Sequence, residues 1–193
     1  IYNGEEPQFT IYQRPADGSE DTRLLLKEPV DTGPTSISPD GKLLIFNTDV
    51  VGKSSDIMIL ALDGSAETRP FLSTRFREED GVVSPDGNWL AYVNNESGEG
   101  QVYAMAFPDG GSRVQISIEG GETPIWSPLG DEIFFLDRSG LMVAAVDREK
   151  TNPKELAVDR PRRLMTGPFS NTNPNREFSI TPDGKRFLTT HLP

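Results

Sequence analysis

Residues 82–111 read VVSPDGNWLAYVNNESGEGQVYAMAFPDGG. Two hydrophobic runs flank a Ser-Pro-Asp-Gly turn, a polar stretch follows, and a further alternating run ends in a second Pro-Asp-Gly. Proline presets φ, aspartate bonds nearby backbone N–H groups, and glycine tolerates positive φ. Apolar residues at a period of two on either side describe β-strands. The pattern recurs as SISPDGKLLIF (36–46), VVSPDGNWLAY (82–92), IWSPLGDEIFF (125–135) and SITPDGKRFLT (179–189). The turn prolines Pro39, Pro85, Pro128 and Pro182 are therefore 46, 43 and 54 residues apart. Repetition at that period points to solenoids or propellers.

Each unit decodes into four strands. After the turn and its second strand comes a polar turn, then a third run (56–64, 101–110, 141–147), then a short fourth run, TRPFL, SRVQI or PRRLM. Four antiparallel strands per repeat make a propeller blade, so the expected fold class is all-β, a β-propeller of four-stranded antiparallel blades. The best helical candidate, residues 151–158, is short and interrupted by proline. The expected division is one propeller domain over 1–193, with a half blade at 1–28, blades at 33–73, 80–118 and 122–166, and a half blade at 176–193. The terminal halves could pair into one composite blade and close a small ring. The expectation adopted is an arc of a larger ring, whose open blade edges would offer a route to self-association.

These residues resemble the WD-like repeat of TolB-type β-propellers: a Ser-Pro-Asp-Gly turn, an Ile/Leu-Ala-Phe/Tyr strand, and a later strand ending in Asp-Gly. Residues 84–111 and the run GDEIFFLDRSGLMVAAVD (130–147) are also similar to the carboxy-terminal propellers of bacterial serine/threonine kinases of eukaryotic type. The resemblance covers nearly the whole chain. It implies a non-catalytic propeller, a protein- or peptide-binding scaffold or extracytoplasmic sensor module, in a periplasmic or extracytoplasmic place. It also brings in the propellers that accompany prolyl-oligopeptidase-type peptidases, and with them the alternative of a hydrolase or a peptidase-associated ring that gates substrate. Kinase motifs are absent from the sequence. Leu129 departs from the pattern, standing where the other turns have aspartate, and the neighbouring Asp131 is placed to compensate. The connection 148–160 is longer than its counterparts and is expected to form a surface excursion.

The composition excludes several classes. With 19 basic and 30 acidic residues the formal charge is −11. Such a surface repels phosphate backbones and anionic membranes, so no nucleic-acid partner is expected. No apolar run approaches the ~20 residues that span a bilayer, so membrane insertion by this segment is not expected. The chain has no cysteine, which removes disulfides, thiol catalysis and thiolate zinc sites. It opens on Ile1 rather than methionine, which suggests a processed protein or a piece of one, with any targeting segment out of view.

No complete catalytic set is present, and neither cofactor nor metal is expected. Asp40, Asp86 and Asp183 are read as caps of their own turns rather than a ring of ligands. His191 is the sole histidine, no Gly-X-Ser-X-Gly elbow accompanies it, and one histidine cannot supply a catalytic zinc site. Trp89 and Trp126 are read as blade packing, each such burial contributing about 1.5–3 kcal/mol. The informative residues lie in the connections entering the innermost strands, which gather at one mouth of a propeller channel. These are 74–81, with Arg75, Arg77, Glu78, Glu79 and Asp80; 118–124, with Glu119 and Glu122; and 167–177, with Asn173 and Arg176. Mixed charge and amides there suit a protein or peptide partner. Glu78, Glu79, Asp80, Glu119 and Glu122 are the acids from which an enzymatic pair would have to come. Two of them converging in a pocket with raised pKa would favour an enzyme.

Overall fold

A computed structural model describes residues 9–49, 54–167 and 178–189. Among them every regular element is a strand. They form a hairpin, three four-stranded antiparallel sheets and a second hairpin. The first hairpin is β1 (Phe9–Gln13) and β2 (Arg23–Glu28). The first full sheet is β3 (Asp31–Ile37), β4 (Leu43–Asp49), β5 (Ser55–Ala61) and β6 (Thr68–Leu72). The second is β7 (Glu78–Val83), β8 (Trp89–Asn94), β9 (Gln101–Ala106) and β10 (Arg113–Gln115). The third is β11 (Glu122–Trp126), β12 (Glu132–Asp137), β13 (Gly140–Ala145) and β14 (Arg162–Thr166), followed by the hairpin β15 (Phe178–Ile180) and β16 (Phe187–Thr189). Strand order within each full sheet follows the chain, as in a propeller blade. The terminal hairpins form separate two-stranded sheets, so the described strands make an open arc and no composite blade closes it.

The Ser-Pro-Asp-Gly turns are built alike. Ser84 Oγ donates to Asp86 Oδ1 at 2.5 Å, the Trp89 N–H donates to Ser84 Oγ at 3.0 Å, and Gly87 N–H returns to the Ser84 carbonyl at 2.9 Å. Ser38–Asp40 and Thr181–Asp183 repeat the arrangement. Each aspartate therefore belongs to its own turn, and serves it by accepting the N–H two residues on. Where Leu129 replaces aspartate, Ser127 Oγ instead donates to Asp131 Oδ1 at 2.6 Å. The compensation expected at Asp131 is thus present.

Each core cluster lies between neighbouring sheets. Ile45, Ile57 and Ile59 of the first sheet pack on Val83, Leu90 and Tyr92 of the second. Trp89, Ala91 and Val93, on the opposite face of β8, pack on Trp126, Ile133 and Phe135 of the third. Phe134 and Leu136 then meet Phe178 of the last hairpin, and Leu44 and Phe46 meet Ile11 of the first. A blade is covered on both faces, which is why β8, WLAYVN, is buried along its whole length rather than alternating. Two polar contacts tie inner strands together: Trp126 Nε1 donates to the Val82 carbonyl at 3.0 Å, and Val83 N–H to Ser36 Oγ at 3.1 Å. Trp126 thus packs blade against blade, as read from its place in the repeat. Residues 151–158, the helical candidate, form turns and isolated bridges.

Candidate functional site

β7 begins at Glu78, inside the stretch read from the sequence as a loop. That shift by itself separates neighbouring acids. Glu78 is fully buried and points into the sheet, where it accepts from Asn94 Nδ2 at 2.9 Å, from Thr74 N–H at 3.1 Å and from Thr74 Oγ1. It is a structural carboxylate closing the 74–78 turn.

Glu79 and Glu122 occupy the same position in successive units, at the start of the inner strands β7 and β11. Both strands bulge immediately afterwards, between Glu79 and Val82 and between Glu122 and Ile125. Within these bulges Asp80 and Thr123 adopt φ of 58° and 54°, a conformation that aspartate tolerates and a β-branched residue such as threonine rarely takes. Bulges re-aim side chains at sheet ends, and here they bring two carboxylates from different blades onto one guanidinium. Arg77 Nη1 lies 2.6 Å from Glu79 Oε1 and Arg77 Nη2 lies 2.9 Å from Glu122 Oε1. The Arg77 backbone is held by Asn95, whose Oδ1 accepts its N–H at 2.9 Å. Gly100 leaves the space that Glu122 fills: a Cβ there would overlap the Glu122 carboxylate and sit 3.2 Å from Arg77 Nη2.

One oxygen from each of Glu79, Asp80 and Glu122 lies within 4.8 Å of the others. By donor type such a trio could hold a hard divalent cation, but the positive charge against Glu79 and Glu122 is already that of Arg77. Burial pushes the Glu79 carboxyl up to about 7; Arg77 opposes this, while Asp80 and Glu122 add to it. Burial likewise raises Glu122 against the pull of Arg77. For Arg77 burial acts downward, but Glu79 and Glu122 more than offset it and leave the guanidinium raised.

The Glu79 shift has a thermodynamic consequence. Its folded value lies above the unfolded carboxylate value of about 4.3, so its contribution to stability is fully present below that pH and is lost as pH rises through about 7. The urea midpoint is expected to fall between pH 5 and 8, and Glu79→Gln to flatten that slope. An equal slope in the variant would show that Glu79 titrates as an ordinary carboxylate.

Other residues singled out from the sequence are not part of this bridge. The Arg75 guanidinium sits 4.8 Å over the Phe76 ring, and Glu119 is exposed. Asn173 and Arg176 fall outside the described residues. Three contributors carry no signal in the sequence: Asn94 at the end of β8, and Asn95 and Gly100 in the turn that joins it to β9. Nothing in the composition of that turn marks these residues.

The Arg77 group can bind and brace. Its two bridged acids do converge with raised pKa, the condition set for an enzymatic pair. The Arg77 guanidinium lies between them and bridges the two.

No family model matches the chain. An 84-residue stretch, 42% of the chain, is 34% identical to the "uncharacterized peptidase YuxL" of Bacillus subtilis (strain 168), covering 13% of that protein. Among solved structures, TolB from Acinetobacter baumannii superposes with a TM-score of 0.62 at 19% identity, over 92% of this chain and 42% of that one. A putative TolB from Agrobacterium tumefaciens does so with a TM-score of 0.56 at 21% identity, over 79% and 60% respectively. A puromycin hydrolase gives 0.53 at 19% identity, over 75% and 25%. The chain thus has the TolB-like β-propeller fold and spans less than two thirds of each of these proteins.

Proposed function

We propose that the chain is a non-catalytic propeller scaffold whose loop-bearing face receives a protein or peptide partner, in an extracytoplasmic setting like that implied by its TolB-type resemblance. The observation that carries this reading is the Arg77 bridge. It converts two half-buried acids at adjacent blade ends into a braced, mixed-charge surface, with Arg75 exposed beside it. Charged groups at such a rim set specificity and on-rate more than affinity. The likeness to TolB supports a scaffold that presents loops on a rigid β framework. Self-association through open blade edges is a further expected contact, read by sedimentation. Among the described residues no helix is long and apolar enough to cross a membrane.

The test is a pull-down with the intact parent protein, its captured partner identified and titrated against purified chain. Arg75→Ala/Arg77→Ala together are expected to weaken that partner by about tenfold or more. Unchanged binding with both arginines removed would reject this face.

A second reading has one observation in its favour. Glu79 and Glu122 converge with raised pKa, and both a peptidase and a hydrolase are among the similar proteins. Under it the propeller gates or binds the substrate of a hydrolytic parent. Loss of turnover in the parent on Glu122→Gln, with partner binding intact, would favour that reading over the scaffold.

A further inference from the structure

The outer strands of the three full blades hold the same place in the repeat, but their free edges differ. β6, TRPFL, contains Pro70, which has no N–H, and Arg69 Nη2 donates to the Pro108 carbonyl at 2.8 Å. β10, RVQ, is three residues long. Its Arg113 pairs with Glu96 at 2.8 Å and lies 3.7 Å over the Tyr103 ring, and Gln115 Nε2 donates to the Ser117 carbonyl at 2.9 Å. Both strands thus engage their polar side chains within the molecule. β14, RRLMT, has five residues and no proline, and all five are exposed. It pairs with β13 on one side, and its other edge is unpaired among the described residues.

Arg160, Arg162 and Arg163 form the densest run of cations in a sequence whose formal charge is −11. None of the three enters an ion pair or a side-chain hydrogen bond among the described residues. They flank the edge on both faces. Arg163 is paired with Met142, which packs toward the second sheet, and Arg162 with Val143, which packs toward the last hairpin. Residues directly opposite on paired strands share a face. Arg160 and Arg163 line one recess of about 150 Å³ with Ile118, Met142, Glu119 and Asp137. Asp137 Oδ1 is taken by its own turn, and neither acid pairs with an arginine. Charged side chains guard an edge strand against other edges. A guard that works by positive charge is selective. It repels a second copy, which brings the same three arginines, and it admits an acidic strand.

We propose that the free edge of β14 receives an extended acidic segment of a protein partner as a fifth, antiparallel strand. Backbone hydrogen bonds along the edge supply affinity and the side chains set the choice of partner, as in strand addition generally. β14 reads Arg-Arg-Leu-Met, so the facing segment reads two apolar residues and then two acidic ones. One carboxylate meets Arg162 on one face, and the other meets Arg163 and Arg160 on the opposite face. This surface is the outer rim of the third blade. It shares no residue with the Arg77 group, and its failure would leave that reading untouched.

The probe is the peptide TVVEEVT, acetylated and amidated at its ends and titrated into the full ¹⁵N-labelled chain. Amide signals of residues 162–166 are expected to shift downfield and to exchange more slowly with solvent, with a Kd of about 1 mM or tighter. Lysines in place of both glutamates should weaken binding by about tenfold or more, as should Arg162→Glu/Arg163→Glu in the chain. Both arginines are exposed, so the reversal should leave the urea midpoint unchanged, and the lysine peptide should bind that variant. Two further peptides each carry an N-methyl group on one of the two glutamates. Neighbouring N–H groups of a strand point to opposite sides, so one methyl should weaken binding by about tenfold and the other should leave it as it was. Absence of any shift in 162–166 up to about 10 mM peptide, equal binding of the two methylated peptides, or indifference to the charge reversal would each overturn the proposal. An equally tight response of 162–166 to a short DNA duplex would assign the edge to polyanions and overturn it as well.

Discussion

Gly140→Ala is expected to destabilise the chain by about 3 kcal/mol or more, the largest effect expected of a methyl added at any glycine whose surroundings are described. Gly140 closes the two-residue turn between β12 and β13, with φ of +146°, a conformation open to glycine and hardly any other residue. Its partner across the sheet is Thr166 of the outer strand β14. A Cβ at this position would overlap the Met165 carbonyl oxygen and lie 3.1 Å from the Thr166 Cα. These are backbone atoms of a paired strand, so relief requires β14 to leave the sheet. The turn cannot shift instead, because Asp137 Oδ1 fixes it by accepting from the N–H groups of Ser139 at 2.7 Å and Gly140 at 3.0 Å. Urea denaturation of the variant should show a lower midpoint, with early loss of protection in residues 162–166. An unchanged midpoint would mean that β14 is not held as described. Gly100→Ala should behave differently. Its clash is with the end of the Glu122 side chain, which can swing away, so the damage falls on the Arg77 bridge rather than on the fold.

The second large effect separates two adjacent glutamates. Glu78→Ala is expected to cost about 2–4 kcal/mol at pH 7, because it strands the buried Asn94 amide and unties the 74–78 turn. Asn94 is 3% exposed and gives its Nδ2 to Glu78, and the Thr74 N–H gives to the same carboxylate. Glu79→Ala should change stability by less than about 1 kcal/mol, since Arg77 keeps Glu122 and removal of a carboxyl raised by burial offsets the lost ion pair. The measurement is the pair of urea curves at pH 7, with Glu78→Gln as an intermediate that preserves shape. Equal effects of the two alanine variants would sink the assignment of Glu78 to the interior.

That pair of residues marks the limit of what could be read without coordinates. Side chains alternate along a strand, so once β7 begins at Glu78, one glutamate must face in and the other out. Two adjacent glutamates in a polar run carry no signal of where pairing starts. The bridge from Arg77 to Glu122 spans two blades, and no spacing in the sequence specifies which loops of a closing arc will touch. Gly100 could have been flagged only as a turn glycine, yet it is the space for the Glu122 carboxylate. A cavity between the second and third sheets is likewise not legible in the sequence, where Trp89, Trp126, Leu129 and the excursion at 148–160 are separate irregularities that only the stacking of sheets brings together.

What the sequence determined was everything that local chemistry repeats. The Ser-Pro-Asp-Gly turns, the strands on either side, the rescue of Leu129 by Asp131 and the four-strand unit follow from dihedral preferences and period-two burial acting within a few residues of each other. Tertiary structure alone decided which acids are buried, which arginine joins them, whether the terminal hairpins close on each other, and where the two indoles meet. Those outcomes depend on the twist and stacking of whole sheets, which bring together residues that share no local signal and set the burial on which their charge states depend.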